Sequence, residues 1–481
     1  MIVVSKLLRC AAAVASLIVP AAAEAQRAAK FSDAAKAFVT ADQPLILIRD
    51  ARLLDGVHWK AVEHQDMLVR DGRIAAVGGR IDPPAGAKVI DAAGKTLMPG
   101  LVMVHEHLYT PTEIGGRTLF YSDPYVPQVM LAYGTTTART AGGFDMEGDV
   151  GIKRQIDQGK IPGADVDVSV YIEGPKDPYF STLPRLDDGA AAAREVAYWA
   201  GRGATSIKLY FDATPDVAAG AIAEAKKRHM GIAGHLCAMH VETAARMGLE
   251  TLEHGVLAAY DLVPGADEKS CPSTQRQGDM LARMATLDAN GPEVAALFKT
   301  LLEHKIAIDP TLASRQQYMC NPIVAPPPRE LALLSRPGGV TESHIPCGHF
   351  AGYNAEVEKR GIAFQAATAV RYKRMGGTLL VGTDQWLVPG AGGPREMETM
   401  VAAGLTPVEV LQAATIDGAT AIHRGDTVGS LEVRKRADFL LVDGRPDERI
   451  SDIRKLSAVF KDGIGYDPQK LYDDAKDKIV N

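Results

Sequence analysis

The stretch Met98-Pro-Gly-Leu-Val-Met-Val-His-Glu-His-Leu-Tyr109 decides how this chain is organised. Its apolar run, Leu101 to Val104, leads directly into His105 and His107. In a β-strand, residues i and i+2 point to the same side of the sheet. The two imidazoles are therefore expected to lie side by side at the end of a strand, within reach of one metal ion.

Similar apolar runs recur along the middle of the chain and alternate with helix-like segments. Alternation of short strands and helices is typical of βαβ units. Because this alternation continues through the middle of the chain, it predicts a (β/α)8 TIM barrel over residues 99–424. The expected insertions are residues 259–285 and 312–352. The eight apolar runs are 101–104, 135–139, 166–172, 205–210, 231–235, 251–254, 305–309 and 378–384.

Both flanks of this barrel have a different pattern, in which short β-like runs are separated by turn residues. The pair Asp71-Gly72 between two such runs is a strong hairpin signal. Neither flank alone has enough strands for a stable sandwich. Residues 26–98 and 425–481 are therefore predicted to form one discontinuous β-sandwich domain, with two unrelated β modules as the alternative.

The composition is that of an ordinary globular protein. Of the 481 residues, 46% are hydrophobic and 23% are charged, and the net charge is −6. Nucleic-acid binding is set aside because the chain has no dense basic patch.

The first 25 residues are expected to be a secretory signal peptide. Lys6 and Arg9 precede an apolar stretch, and Ala23-Glu-Ala25 fits a cleavage site for signal peptidase. The alternative is a membrane anchor, but the stretch is shorter than the roughly 20 residues that span a bilayer. The mature protein is thus expected to be secreted or periplasmic and free of membrane segments.

Four cysteines remain after this cleavage. Export to an oxidising compartment permits a disulfide. Cys271, Cys320 and Cys347 lie in loop-like sequence, so one bridge is expected among them, with its pairing left open. Cys237 is expected to be a buried thiol.

Polar residues that follow the apolar runs are the candidate functional residues, because a barrel gathers the carboxyl ends of its strands at one face. Six ligands are too many for one tetrahedral ion, which indicates two metal ions about 3.5–4 Å apart. The candidate ligands are His105, His107, Lys208, His235, His254 and Asp384.

Lys208 needs a separate explanation, because a lysine ammonium is a poor metal ligand. A neutral lysine reacts with carbon dioxide to give a carbamate, whose two oxygens and negative charge suit a bridge between two cations. Simpler alternatives remain for single residues: a structural histidine pair, a lysine at the barrel rim, and Asp384 as a cap of the next segment.

Three further residues are candidates for substrate binding. Tyr210 and Tyr109 follow Lys208 and His107 by two positions, so each shares the face of its neighbour. Either tyrosine could bond the substrate carbonyl or simply pack. Arg139, at the end of the second run, could bind a substrate carboxylate or form an ion pair.

Taken together, these motifs resemble the amidohydrolase superfamily, in its branch of imidazolonepropionase-like and prolidase-like secreted enzymes. The resemblance covers nearly all of residues 44–465. The aspartate that usually precedes the first histidine is absent, since Met103-Val104 stands there. The matching motifs are His105-Glu-His107, Gly134-Thr-Thr-Thr-Ala-Arg139, Ile207-Lys208, Gly234-His235, Glu253-His254-Gly255, Gly382-Thr-Asp384, Gly404-Leu-Thr-Pro407 and Ala437-Asp438.

The resemblance implies a division of the ligands between two divalent ions, expected to be zinc. His105, His107 and Asp384 would hold one ion, His235 and His254 the other, and carboxylated Lys208 would bridge them. Asp384 would also take a proton from the attacking water and pass it to the leaving nitrogen.

The implied reaction is hydrolysis of an amide C–N bond in a small molecule, with a dipeptide or N-acyl amino acid as the leading substrate class. A ring-opening hydrolase or deaminase of a heterocycle is one alternative. A non-catalytic metal-binding scaffold is another. The oligomeric state is open, with a homo-oligomer among the options.

Overall fold

A computed structural model describes residues 27–114, 117–176, 182–268, 271, 280, 282–316, 322–333, 354–385 and 390–479. The predicted signal peptide, Cys320 and Cys347 lie outside these residues. The strands in chain order are β1 Val39–Ala41, β2 Leu45–Leu53, β3 Val62–Arg70, β4 Arg73–Gly78, β5 Lys88–Asp91, β6 Thr96–Pro99, β7 Leu101–Glu106, β8 Tyr109–Ile114, β9 Arg117–Ser122, β10 Thr135–Thr140, β11 Asp165–Ile172, β12 Ala204–Leu209, β13 Gly231–Gly234, β14 Thr251–Glu253, β15 Ala307–Asp309, β16 Phe439–Val442, β17 Leu456–Lys461 and β18 Ile464–Tyr466.

Helices follow the barrel strands, as the alternating sequence pattern predicts. None of the helices in the described ranges is long and apolar enough to cross a membrane. The α-helices are Asp33–Lys36, Val126–Ala132, Met146–Asp157, Gly189–Ala200, Pro215–Lys227, Val241–Met247, Pro292–Glu303, Leu312–Gln316, Pro328–Leu331, Ala355–Arg374, Gly393–Ala402, Pro407–Gln412, Gly418–Ala421 and Pro468–Ala475. Shorter 3-10 turns cover Arg27–Lys30, Gly255–Ala258, Tyr260–Leu262 and Ile450–Arg454, and a π turn covers Ala413–Asp417.

Strands from both flanks of the barrel join one nine-stranded sheet. Its order is β1-β18-β17-β16-β6-β2-β3-β4, and β5 pairs with β2. The junction between the two flanks is antiparallel, with Phe439 opposite Pro99 and Val442 opposite Thr96. The buried core of this sheet includes Ile46, Ile48 and Phe460. The β part of the predicted fold class, built from both chain ends, is confirmed.

The barrel strands form a parallel sheet in the order β15-β14-β13-β12-β11-β10-β7. The last predicted run, 378–384, lies between the two edge strands, β15 and β7, and closes the sheet into a barrel. Ile308 donates its backbone N–H to the carbonyl of Thr378 at 2.9 Å, and Val104 donates to the carbonyl of Val381 at 2.9 Å. The sequence-based prediction of a (β/α)8 barrel is therefore confirmed.

The sequence explains why these strands are parallel and central. Leu101 to Val104 are apolar and have almost no exposed surface, as expected for strands covered on both faces. Polar side chains are concentrated at the carboxyl ends of the strands, where the loops begin. This placement positions the candidate site.

One expectation about the cysteines is wrong. Cys237 is not a free thiol but forms a disulfide with Cys271, and both residues are buried. The chain after Leu262 returns to the mouth of the barrel, where the backbone N–H of Cys271 donates to Asp212 Oδ1 at 3.2 Å. The path of this long connection is a tertiary feature that the local sequence does not encode.

Candidate metal centre

All six predicted ligands reach the same end of the barrel. His105 lies near the end of β7, and Lys208 lies near the end of β12. The remaining ligands, His107, His235, His254 and Asp384, each follow a barrel strand by one or a few residues. All are buried except Asp384, whose side chain is 26% exposed. The centre is therefore enclosed, and the aspartate is its most accessible group.

One group of ligands consists of His105, His107 and Asp384, whose candidate ligand atoms all lie within 4.8 Å of one another. Asp384 Oδ1 is 3.0 Å from His107 Nε2 and 3.5 Å from His105 Nε2. Burial raises the pKa of Asp384, but the hydrogen bonds with the two imidazoles outweigh it and hold the pKa well below its usual range. The carboxylate is therefore charged at neutral pH, as a metal ligand requires.

The second group consists of His235 and His254, whose ring centroids are 4.4 Å apart. Burial lowers the pKa of His254 to about 3. Burial and then the charges of His254 and Lys208 hold the pKa of His235 well below its usual range. Both rings are thus neutral, and neutral imidazole is the form that binds metals.

Lys208 lies between the two groups. Its Nζ is 3.4 Å from His105 Nε2 and 2.8 Å from Glu253 Oε2. The rings of Tyr171 and Tyr210 each lie 5.5 Å from the same Nζ. This position fits the predicted bridging role, although the carbamate itself remains a proposal.

Arg139 contacts two buried groups of the protein itself. Its Nε donates to the carbonyl oxygen of Val104 at 2.7 Å, and its Nη2 donates to Glu253 Oε1 at 2.9 Å. The side chain is buried because its strand, β10, directs it into the barrel rather than to the rim. The observed ion pair is internal rather than at the rim, and the predicted contact of Arg139 with a substrate carboxylate stays a prediction.

Glu253 is a central acid that the sequence reasoning missed. Burial raises its pKa, but Lys208, His105 and Arg139 together lower it to about 2. The carboxylate therefore pairs with the buried cations Lys208 and Arg139 and also lies within ion-pair distance of the His105 ring. Its position directly before His254, at the end of a barrel strand, was a usable signal.

Asp309 was missed for a similar reason. It ends the predicted seventh run, where the rule applied to Asp384 would have selected it, and its Oδ2 lies 2.7 Å from His105 Nδ1. Thr311 and Ser314 also contact predicted ligands. No sequence signal marks these two residues.

Each of the two candidate tyrosines lies beside one predicted histidine ligand. The ring centroid of Tyr109 is 4.6 Å from that of His107, and the ring centroid of Tyr210 is 5.6 Å from that of His235. Both side chains are largely buried. Their predicted contact with substrate stays a prediction.

The donor set fits a divalent cation. Histidine nitrogens and carboxylate oxygens are the usual ligands of zinc. Within the described part of the chain, the buried Nε2 of His235 has no hydrogen-bond partner. An unpaired buried polar atom is costly, and a metal ion at the centre would satisfy it.

Comparison with known proteins agrees with this geometry. The profile of the amidohydrolase family matches residues 96–468. The chain belongs to this family. The predicted enzyme class, a hydrolase acting on C–N bonds, is thereby confirmed at the level of the family.

Individual relatives of this amidohydrolase match either locally or in fold. A dihydroorotase from Elusimicrobium minutum is 43% identical over 74 residues, which are 15% of this chain and 17% of the relative. The chain thus matches only about a sixth of that curated relative's length.

Two solved structures match over most of their length. A Xaa-Pro dipeptidase with bound methionine has a TM-score of 0.64 at 18% identity, over 88% of this chain and all of the other. A putative prolidase from Bifidobacterium longum has a TM-score of 0.63 at 22% identity, over 90% and 98%. At these identities the two structures show the fold alone.

Proposed function

We propose that the protein is a secreted or periplasmic amidohydrolase with two metal ions, and that it cleaves the amide C–N bond of a dipeptide or an N-acyl amino acid. One observation carries the proposal: four histidines, a lysine and an aspartate from five different barrel strands converge on one enclosed centre. Amide hydrolysis needs an activated water and a group that protonates the leaving nitrogen. The centre supplies both.

His105, His107 and Asp384 would hold one divalent ion, His235 and His254 the other, and Lys208 as a carbamate would lie between them. Zinc suits these ligands. Such ions lower the pKa of a water molecule towards about 7 and polarise a carbonyl.

Asp384 is the proton carrier in this proposal. Its carboxylate accepts a proton from the attacking water as the new C–O bond forms, and it returns that proton to the amide nitrogen as the C–N bond breaks. The side chain of Asp384 is partly exposed, unlike those of the buried histidines, and this accessibility supports its proposed role because an entering substrate can reach it. Its lowered pKa keeps the carboxylate ionised, which is the form that can accept a proton.

Two structural neighbours and the enclosure of the centre support the substrate class. Two of the structural neighbours are described as a Xaa-Pro dipeptidase and a putative prolidase. The small, enclosed centre favours a small molecule over a polymer. Tyr109 and Tyr210 flank the centre and are proposed to contact the substrate.

The test is hydrolysis of a dipeptide and N-acyl amino acid panel by the purified chain, loaded with zinc or manganese and analysed for metal content. Bound metal near two ions per chain with turnover of panel members is the expected result. Turnover of cyclic amides only would favour a ring-opening reaction instead. One bound ion per chain would favour a deaminase-like site. A chain that binds no metal would refute the proposed function.

The variant Asp384→Asn should abolish turnover while metal content stays largely intact, whereas wild-type turnover would remove Asp384 from the mechanism. Asp187→Asn, at an exposed position, is the matched control. Secretion is tested separately, because a signal peptide cleaved after Ala25 leaves a mature protein that begins at Gln26.

A further inference from the structure

The turn that follows β15, residues 309–314, supplies none of the six predicted ligands but contacts three of them. Asp309 bonds His105, Thr311 bonds His254, and Ser314 bonds Asp384. These ligands come from the first, sixth and eighth positions around the barrel. One short segment therefore joins both proposed metal sites.

The contacts to the two histidines fix which ring nitrogen is available. His105 Nδ1 lies 2.7 Å from Asp309 Oδ2, and because a carboxylate only accepts, this nitrogen carries the proton. When a metal ion takes the place of the second ring proton, the lone pair of Nε2 points towards Lys208 and Asp384. Such bonds orient metal-binding histidines and fix their tautomer.

The same logic applies to His254. Its Nδ1 lies 2.7 Å from the hydroxyl oxygen of Thr311. If Nδ1 donates to that oxygen, Nε2 is left as the free lone pair. The histidines of the two proposed metal sites are thus oriented by residues two positions apart.

Ser314 acts on the carboxylate. Its hydroxyl lies 2.9 Å from Asp384 Oδ2 and 3.2 Å from the Asp384 carbonyl oxygen. This contact directs Oδ2 to the turn and leaves Oδ1 facing His105 and His107. Ser314 therefore sets the rotation of the proposed proton carrier.

The turn is conformationally strained. Thr311 has a φ of 43°, and a β-branched residue rarely adopts this left-handed region. Such a conformation costs about 1–3 kcal/mol and persists only where the surroundings enforce it.

Two buried side chains enforce it here. Glu396 accepts the backbone N–H groups of Leu312 at 2.8 Å and Ala313 at 2.5 Å. Gln365 Nε2 donates to the carbonyl oxygen of Pro310 at 2.7 Å and to that of His254 at 3.1 Å. Gln365 belongs to the helix Ala355–Arg374 and Glu396 to the helix Gly393–Ala402, so two helices stabilise the conformation of the turn.

We propose that residues 309–314 are the positioning element of the metal centre, in which Asp309, Thr311 and Ser314 preset three ligands before metal binds. The inference rests on the proposed function for the identity of the ligands. It goes beyond that function because it assigns a role to three residues outside the six proposed ligands.

The test measures zinc affinity of the metal-free full chain by competition with a chelator, with no substrate present. Loss of a hydrogen-bond partner that orients a metal ligand typically weakens metal affinity about 10–100-fold. Thr311→Val should weaken the site of His235 and His254 by this factor. Ser314→Ala should weaken the site of His105, His107 and Asp384 in the same way.

The variant Thr311→Ser retains the hydroxyl and should restore the wild-type affinity. Thr300→Val, on the surface of the helix Pro292–Glu303, is the matched control and should leave both sites unchanged. The absorption spectrum of the cobalt-loaded protein adds a second readout, because altered ligand geometry changes it even where affinity is retained.

Wild-type zinc affinity and an unchanged cobalt spectrum in both Thr311→Val and Ser314→Ala would overturn the inference. If Ser314→Ala does not fold, Asp309→Asn, which keeps the side-chain shape and tests the same site through His105, replaces it; if Thr311→Val does not fold, Thr311→Ala replaces it, with the same expected loss. A wild-type chain that binds two ions but hydrolyses no panel member would refute the proposed function and leave this inference standing.

Discussion

The disulfide between Cys237 and Cys271 provides a quantitative test of the structure. It closes a loop with a sequence separation of 34 residues, and it ties the chain just after His235 to the connection that returns to the barrel mouth. The perturbation is the replacement of both cysteines by serine. Loss of the cross-link should destabilise the folded chain because the unfolded chain gains freedom.

The expected size follows from the loop length. For a loop of 34 residues the chain-entropy relation gives about 4 kcal/mol at 25 °C. Unfolding entropies near 2.1 cal/mol/K per residue, over 481 residues, make the total about 1 kcal/mol/K. The melting temperature should therefore fall by about 4 °C.

Thermal unfolding followed by circular dichroism measures this shift, and a thiol count on the denatured wild type verifies the bond. Cys237→Ser and Cys271→Ser alone should each lose nearly as much as the double variant, because either one removes the same bond. Losses that add, or a double variant that melts with the wild type, would refute the pairing.

Three other changes test the centre itself. Lys208→Ala should abolish activity and release at least one ion. Unchanged metal content would contradict the proposed bridging role of Lys208. Glu253→Gln leaves Lys208 and Arg139 without their buried counter-charge and should cost the metal-free protein about 3 kcal/mol, from a pKa lowered from 4.5 to about 2. Since that pKa is lowered, the wild type should lose this stability as the pH falls from 4.5 towards 2, while the variant should lack this part of the acid dependence, as urea unfolding at several pH values can check. Gly382→Ala would place a Cβ 2.2 Å from His105 Cβ, so metal analysis should show loss of the ion that His105 holds.

Much of the centre was predictable because the carboxyl ends of the strands can be located in the sequence, and a barrel brings these ends together at one face. Each apolar run marks a buried strand, and polar residues at its carboxyl end must meet those of the other strands. His105, Lys208 and Asp384 followed from this rule although they are far apart in sequence. The lysine stood out because a lysine ammonium is a poor metal ligand.

What could not be predicted depends on where long loops travel and which neighbour a buried side chain meets. Arg139 satisfied the strand-end rule, yet its partner Glu253 belongs to a strand that is not its neighbour in the sheet. The pairing of Cys237 with Cys271 depends on the return path of a loop. Thr311 and Ser314 are polar residues in a turn, and only their distances to His254 and Asp384 identify them.

The charges around the centre give an independent argument for its proposed contents. The described charged groups in mutual contact are the acids Glu253, Asp309 and Asp384 and the cations Lys208 and Arg139. With neutral histidines, these groups carry a net charge of −1. Two divalent ions added to an ammonium form of Lys208 would leave a buried excess of +3, which a low-dielectric interior disfavours. Conversion of Lys208 to a carbamate lowers this excess by two, and one hydroxide removes the rest. Electroneutrality is therefore met by the carbamate bridge with two ions and one hydroxide, and it is met equally by a single ion with an unmodified lysine and one hydroxide. The number of ions bound per chain distinguishes the two arrangements.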